Sequence, residues 1–256
     1  MLRGMPATLY VVPASHPCVA VERALQLKAI PYRRVDLVPV FHKAFQKAKF
    51  RRASTVPGLV LDDGRRLVGS RAILRGLERL APEPALLPAD PDARAEVEAA
   101  ERWGEEVLQP IGRRLIWTAL SRRTDAQLSY TAGAKLFPPV PAPLARLSAG
   151  AVGWAERRIN GAAEARVRED LAALPAHLDR VESWLAAGVL GGDPLNLGDL
   201  QIATSLRLLA TLEDLAAVLD RPAGAYARRQ FPDYPGRCPA GALPGAWLPV
   251  PAAQHP

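Results

Sequence analysis

The sequence contains only two cysteines, Cys18 and Cys238, among its 256 residues. So few cysteines exclude a disulfide-stabilised scaffold and are typical of a protein from a reducing cytosol. No apolar run approaches the roughly 18 residues of a membrane span. The N-terminal residues lack the apolar core and small-residue cleavage site of a secretory signal. We therefore expect a cytoplasmic protein that has no membrane partner.

Lysine is also scarce. The chain has five lysines, so its formal net charge of +7 comes almost entirely from arginine. The densest basic stretch, residues 43–52, lies on a predicted helix and the loop after it, and it lacks the interleaved aromatic residues of single-strand binders. A solvated basic face is the favoured interpretation, and no nucleic-acid partner is expected. Four histidines and two distant cysteines offer no ligand cluster, so we expect no metal.

The length of the chain is suited to two domains, each with its own core. The N-terminal part predicts the order β-α-β-α-β-β-α. Its clearest signal is Asp62-Asp63-Gly64, a turn between strands at 58–61 and 66–68. Ser70 is predicted to cap the helix that follows. These elements form an α/β unit over residues 1–81.

The rest of the chain predicts helices. Residues 82–91 are rich in proline and form the predicted linker. The domain from 92 to 256 begins with a long amphipathic helix that bends at Pro110, and residues 197–212 are apolar nearly all round, as in a helix at the centre of a bundle. From Phe231 onward the chain is rich in proline and glycine and is predicted to wrap over the surface.

Four motifs, in this order of elements, resemble those of the cytosolic glutathione transferases. Residues 13–18 (Pro-Ala-Ser-His-Pro-Cys) resemble the first strand-to-helix turn of the serine-type delta and theta classes. Thr55-Val56-Pro57 resembles the cis-proline step, residues 70–73 (Ser-Arg-Ala-Ile) the start of the third helix, and residues 196–199 (Asn-Leu-Gly-Asp) a capping box. The resemblance implies a thioredoxin-like N-terminal domain, an all-helical C-terminal domain, a homodimer and a detoxifying transferase.

Such a transferase binds glutathione and stabilises its thiolate for attack on a hydrophobic electrophile. A free thiol has a pKa near 8.5 and is mostly protonated at neutral pH. A hydroxyl that donates a hydrogen bond to the sulfur, at a helix N-terminus, lowers that pKa. Ser15 resembles the activating serine of the family. The alternative is that Ser15 only caps its helix.

The resemblance also implies a set of thiol-binding residues: His42, Val56, Pro57, Ser70 and Arg71. The backbone of Val56 would pair with the cysteinyl part of the thiol, Ser70 and Arg71 would bind the γ-glutamyl carboxylate, and His42 the glycine carboxylate. Four of these residues have a structural alternative. Pro57 could be an ordinary turn proline and Ser70 a helix cap. Arg71 and His42 could be ordinary surface residues.

Three positions depart from the family pattern. Gly69 stands where the family has Glu, Asp or Gln for the γ-glutamyl ammonium, Ser54 replaces a histidine, and Arg51-Arg52 replaces Asn-Pro. The pocket is therefore expected to be altered. It could take another small thiol such as mycothiol, or the protein could be a non-catalytic ligand-binding protein on the same fold.

Two further interpretations concern Cys18 and the aromatic residues of the second domain. Cys18 lies at the second cysteine position of a Cys-x-Pro-Cys redox motif, but Ser15 occupies the leading position, which excludes the usual dithiol route. Trp103, Trp117 and Tyr130, together with Phe137, are candidates to line the electrophile pocket, with membership of the helical core as their alternative.

Overall fold

A computed structural model describes residues 6–51 and 53–249, and its first part is built on one mixed β-sheet. The strand order is β4-β3-β1-β2-β5, in which β1 pairs parallel with β2 and antiparallel with β3. The five strands are β1 (Ala7–Val11), β2 (Tyr32–Leu37), β3 (Gly58–Val60), β4 (Arg66–Val68) and β5 (Leu136–Phe137). The first four strands and their order confirm the predicted thioredoxin-like fold.

Three helices accompany these strands: α1 (His16–Leu27), α2 (His42–Lys49) and α3 (Ser70–Leu80). α1 begins at His16 because Pro17 suits the first turn of a helix, where its missing N–H is not needed. α3 begins after Gly69, whose φ of 87° lies in the left-handed region that favours glycine. Gly69 is therefore the N-cap of α3, and the prediction that Ser70 caps this helix is wrong by one residue.

The fifth strand was not predicted. β5 lies in the part of the chain that the sequence predicts to be all-helical, and it pairs parallel with β2. The Asp36 carboxylate accepts a hydrogen bond of 3.1 Å from the backbone N–H of Lys135, next to the strand. Its two residues carry no alternation pattern, so no sequence signal marked them. Because of β5, the second part of the chain is predominantly rather than wholly helical.

The second part of the chain contains seven α-helices within the described residues: α4 (Pro91–Trp103), α5 (Gln109–Arg122), α6 (Gln127–Tyr130), α7 (Ala142–Ile159), α8 (Glu164–Ala186), α9 (Leu197–Leu209) and α10 (Pro222–Gln230). None of the described helices is long and apolar enough to cross a membrane. α9 is buried along almost its whole length, as its apolar sequence predicts. Its N-terminus has the expected capping box, in which Asn196 and Asp199 bond to each other's backbone N–H groups at 3.0 Å.

The long predicted helix is interrupted by a π-helical turn, Gly104–Leu108, directly before Pro110. Proline has no N–H to donate to the carbonyl four residues earlier, and the wider turn accommodates it without ending the helix. The N–H of Gln109 accordingly bonds to the Gly104 carbonyl. The chain then continues as α5.

The tail after α10 packs back onto the body of the protein. Leu212 and Cys238 form an isolated β-bridge. The Tyr234 ring is buried, and its hydroxyl donates a hydrogen bond of 2.8 Å to the carbonyl of Ala14. Gly236 lies against the Tyr130 ring, so closely that an added Cβ would fall 2.2 Å from it. The tail therefore ties the helical part to the turn before α1.

Candidate active site

A large cavity lies where the sheet ends meet α5, α6 and α7. Its empty volume, counted out to the open mouth, is about 1550 Å³. One wall comes from the turn before α1, from α2 and from the loop before β3. The other wall comes from the helical part. Among the residues predicted for the site, the lining includes Ser15, His42, Val56, Trp117 and Tyr130. The fold therefore brings five of the ten predicted site residues together around this cavity.

Ser15 occupies the turn between β1 and α1. Its N–H bonds to the Val12 carbonyl at 3.1 Å, and its own carbonyl accepts from Cys18 and Val19 in the first turn of the helix. The preceding Ala14 has a φ of 57°, and the Tyr234 hydroxyl binds its carbonyl. Ser15 is the N-cap residue, yet its side chain makes no capping hydrogen bond. Ser15 thus lines the cavity at a helix N-terminus, and its hydroxyl, which makes no capping bond, lies within hydrogen-bonding reach of the Cys18 thiol.

His42 begins α2 and is buried. Burial, assisted by the charge of Lys43, lowers the pKa of the imidazole to about 4, so the ring is neutral at pH 7. Its Nδ1 has no hydrogen-bond partner among the described residues. His42 can therefore offer a carboxylate a neutral hydrogen bond but no positive charge. The neighbouring residue Lys43 supplies a positive charge and also lines the cavity. It was not among the residues predicted for the site.

Val56 and Pro57 form the loop before β3. The peptide bond between them is cis. Val56 is half-buried and lines the cavity. Pro57 is buried behind it, and its carbonyl accepts a hydrogen bond of 2.9 Å from the N–H of Gly69. This bond ties the loop before β3 to the N-cap of α3.

Ser70 lies outside the cavity lining. Its side chain is buried, and its hydroxyl donates a hydrogen bond of 3.2 Å to the Gln201 side chain and accepts one of 3.2 Å from Gln109. Gln109 also donates to Gln201. The three side chains form a polar cluster between α3, α5 and α9. The expectation that this hydroxyl offers itself to a thiol carboxylate is not supported, because helices of the second domain already occupy it.

Arg71 and Trp103 also lie away from the cavity lining. The Arg71 guanidinium is 3.5 Å from the buried Glu101 carboxylate and 3.8 Å from that of Glu105. The Trp103 ring packs against His177 and Trp184, with ring centroids 5.6 and 5.4 Å apart. Trp103 is thus a residue of the helical core, and the prediction that it lines the electrophile pocket is wrong. Phe137 is half exposed on β5 beside Phe45 and is likewise not part of the lining.

Trp117 and Tyr130 form part of the helical wall. The Tyr130 hydroxyl shares a hydrogen bond of 2.8 Å with the Thr211 hydroxyl, and burial raises the pKa of the phenol. Tyr130 therefore presents its ring rather than an ionisable group. The same wall includes Arg113, which sequence reasoning missed, although its i, i+4 spacing to Trp117 on one helix could have indicated it.

Cys18 is buried beneath the Ser15 turn. Burial raises the pKa of its thiol to about 12. The thiol is therefore protonated at neutral pH and is a poor nucleophile. This environment gives no support to the redox interpretation of Cys18. Within the described residues there is also no group of three or more His, Cys, Asp or Glu side chains arranged to hold a metal ion.

Residues 9–85 match the family model described as "Glutathione S-transferase, N-terminal domain". The match covers the thioredoxin-like first part of the chain, which is less than half of its length. A comparison with curated protein sequences gives no match.

Several solved structures share the fold over most of the chain. A glutathione S-transferase from Sinorhizobium meliloti 1021 has 21% identity and a TM-score of 0.56, with 89% of each chain covered. The beta-etherase LigF from Sphingobium sp. strain SYK-6 has 20% identity and a TM-score of 0.57, over 88% of this chain and 100% of LigF. FzlA from C. crescentus has 21% identity and a TM-score of 0.57, over 93% of this chain and 97% of FzlA. At these identities the likeness shows the fold alone.

Proposed function

We propose that the protein is a serine-type thiol transferase that binds glutathione or an analogue such as mycothiol and activates it for attack on a hydrophobic electrophile. The observation that carries the proposal is the position of Ser15. Its hydroxyl lies at the N-terminus of α1, at the cavity, and takes no part in capping. A hydroxyl that donates to the thiol sulfur and the partial positive charge of the helix end would both stabilise the thiolate.

The thiol would lie along the wall formed by the first domain. Val56 would pair with its cysteinyl part through the backbone, and Lys43 with His42 would bind a carboxylate at one end. In the reaction the thiolate sulfur forms a C–S bond to the electrophilic carbon, the bond from that carbon to its leaving group breaks, and the group departs as an anion such as halide with the bonding electron pair. The electrophile packs against Trp117 and the Tyr130 ring. We expect a cytoplasmic homodimer with a detoxifying role, as the family resemblance implies.

The γ-glutamyl end of the thiol meets an altered environment. Gly69 has no side chain to bind an ammonium, and the Ser70 hydroxyl is engaged with Gln109 and Gln201. These two features leave room for a thiol other than glutathione. They also favour a second candidate function, a non-catalytic protein that binds an apolar ligand in the same cavity.

Titration calorimetry with glutathione, and with mycothiol in parallel, tests the proposal. We expect saturable binding of one of the two thiols. The thiolate absorbance of the bound thiol, followed against pH, should show a pKa below the free value near 8.5. The Ser15→Ala variant is the matched control, because it should bind the thiol with a nearly unchanged affinity while that pKa returns toward the free value.

Two outcomes would overturn the proposal. If neither thiol binds up to several millimolar, the transferase function is wrong and the ligand-binding protein becomes the better account. If a thiol binds but Ser15→Ala leaves its pKa unchanged, Ser15 is only a turn residue.

A further inference from the structure

The helical wall of the cavity carries one cation on an otherwise apolar helix face. Four residues of α5 line the cavity at spacing i, i+3, i+4 and i+7: Arg113, Ile116, Trp117 and Leu120. This spacing places them on one side of the helix. Three of the four side chains are apolar. The guanidinium of Arg113 is the exception, and it is partly buried.

Arg113 forms no ion pair within the described residues. Its hydrogen bond there is to the neutral side chain of Gln109, at 3.3 Å. The next residue, Arg114, makes two bonds of 2.5 and 2.9 Å to the Asp170 carboxylate. Burial and the charge of Arg114 lower the pKa of Arg113, and the Glu105 carboxylate opposes this shift without forming an ion pair with Arg113. The Glu105 carboxylate is instead 3.8 Å from the Arg71 guanidinium. A partly buried, unpaired charge is costly, so such a group is typical of a site that a ligand completes.

The other groups near Arg113 do not neutralise it. His16 is 1% exposed, and burial together with the charge of Arg113 lowers the pKa of its ring well below 6.5, so the ring is neutral. Its Nε2 has no hydrogen-bond partner among the described residues. The carboxylate in the described lining is Glu156, which accepts hydrogen bonds from the N–H of Val40 at 2.8 Å and from Asn160 at 3.1 Å. The cavity lining thus includes the Arg113 cation and the neutral, buried ring of His16.

We propose that the electrophilic substrate carries a carboxylate, which Arg113 binds while the apolar body of the substrate packs against Ile116, Trp117 and Leu120. Arginine presents its N–H groups in a fork that matches a carboxylate. This inference deepens the proposed function, and it rests on that function for the reaction in which the bound acid takes part. The site itself lies on the helical wall, opposite the wall that would hold the thiol. The binding of an unreactive acid therefore tests it without any thiol.

The test compares 3,5-dinitrobenzoate with 3,5-dinitrobenzamide, two aromatic compounds of similar shape that differ in charge. Titration calorimetry of the whole protein should show that the benzoate binds more tightly than the amide, by about tenfold or more, which is the usual contribution of a charge-assisted hydrogen bond. The Arg113→Ala variant should lose this preference and leave the affinity for the amide nearly unchanged. Arg113→Lys should retain part of it, because the charge remains while the fork is lost.

Arg102→Ala is the matched control. Arg102 is exposed on α4 outside the cavity lining, so its removal changes the net charge equally without touching the site. Thermal unfolding of each variant checks that the fold is retained.

The inference is overturned if benzoate and amide bind equally, if neither binds, or if Arg102→Ala weakens benzoate binding as much as Arg113→Ala. It is also overturned if Arg113→Ala weakens glutathione binding and leaves benzoate binding unchanged, because Arg113 would then serve the thiol. Failure of the thiol titration alone would contradict the proposed function and leave the acid site standing.

Discussion

The starts of α1 and α3 provide two serines that the sequence marks in the same way and that the structure uses differently. Ser15 lies at the cavity, and its hydroxyl makes no capping bond. Ser70 is 3% exposed, and its hydroxyl is held by side chains from α5 and α9. The difference arises from the packing of the helical domain, which covers one helix start and leaves the other open. A helix N-terminus with a serine is therefore a potential anion or thiolate site only where the second domain leaves it accessible.

The largest effect is expected when the open serine is changed. Ser15→Ala should lower kcat/KM for thiol transfer roughly 100-fold, about 2.7 kcal/mol of transition-state stabilisation, since removal of one preorganised donor commonly has this effect. Steady-state kinetics with a reactive aryl halide measures it. The free energy of unfolding should change by less than about 0.5 kcal/mol, because no capping bond is lost. Equal losses of activity in Ser15→Ala and Ser70→Ala would remove the distinction between the two sites.

The second prediction concerns His42, which lies on the open side with Ser15. The folded protein holds the pKa of His42 at about 4, below its ordinary value of 6.5. Between these two pH values the unfolded chain binds a proton at His42 and the folded protein does not. Stability should therefore fall as the pH is lowered from 6.5 toward 4, by about 1.4 kcal/mol per pH unit from this group.

His42→Gln removes this titration and leaves the other ionisable groups in place. Denaturant unfolding between pH 6.5 and 5 should accordingly show a shallower pH dependence for the variant than for the wild-type protein. Parallel pH dependences would mean that His42 is not buried as a neutral ring.

The smallest effect is expected at the covered serine. Ser70→Ala should lower the free energy of unfolding by about 1 kcal/mol, the net value of a buried hydrogen bond, because Gln109 and Gln201 lose their shared partner. Thiol affinity should stay within about twofold. Chemical denaturation and calorimetry measure the two quantities, and Ser15→Ala is the control, since it removes the same hydroxyl at the start of another helix. A large loss of thiol affinity with unchanged stability would show that the Ser70 hydroxyl serves the ligand after all.

The sequence predicted the order of strands and helices in the first part of the chain, and the buried helix α9, because these depend on local patterns. Apolar periodicity, Asp62-Asp63-Gly64 at the hairpin and Asn196 at a helix start are signals that adjacent residues carry. That Ser15 and Val56 belong to one site was implied by the family resemblance and not by any local pattern. The two-residue strand β5 and the π-turn before Pro110 escaped prediction, because the first depends on pairing with a distant strand and the second on how a helix accommodates a proline.

What the tertiary structure alone decided is the identity of the groups that face the cavity. Trp103 and Arg113 lie on one long predicted helix. Arg113 lines the cavity, whereas Trp103 packs against Trp184 in the core. A π-helical turn lies between them. Likewise, the sequence determined that a serine stands at the start of α1 and near the start of α3. Only the packing of α5 and α9 decided which hydroxyl is available, because burial and hydrogen-bond partners come from residues far apart in the chain.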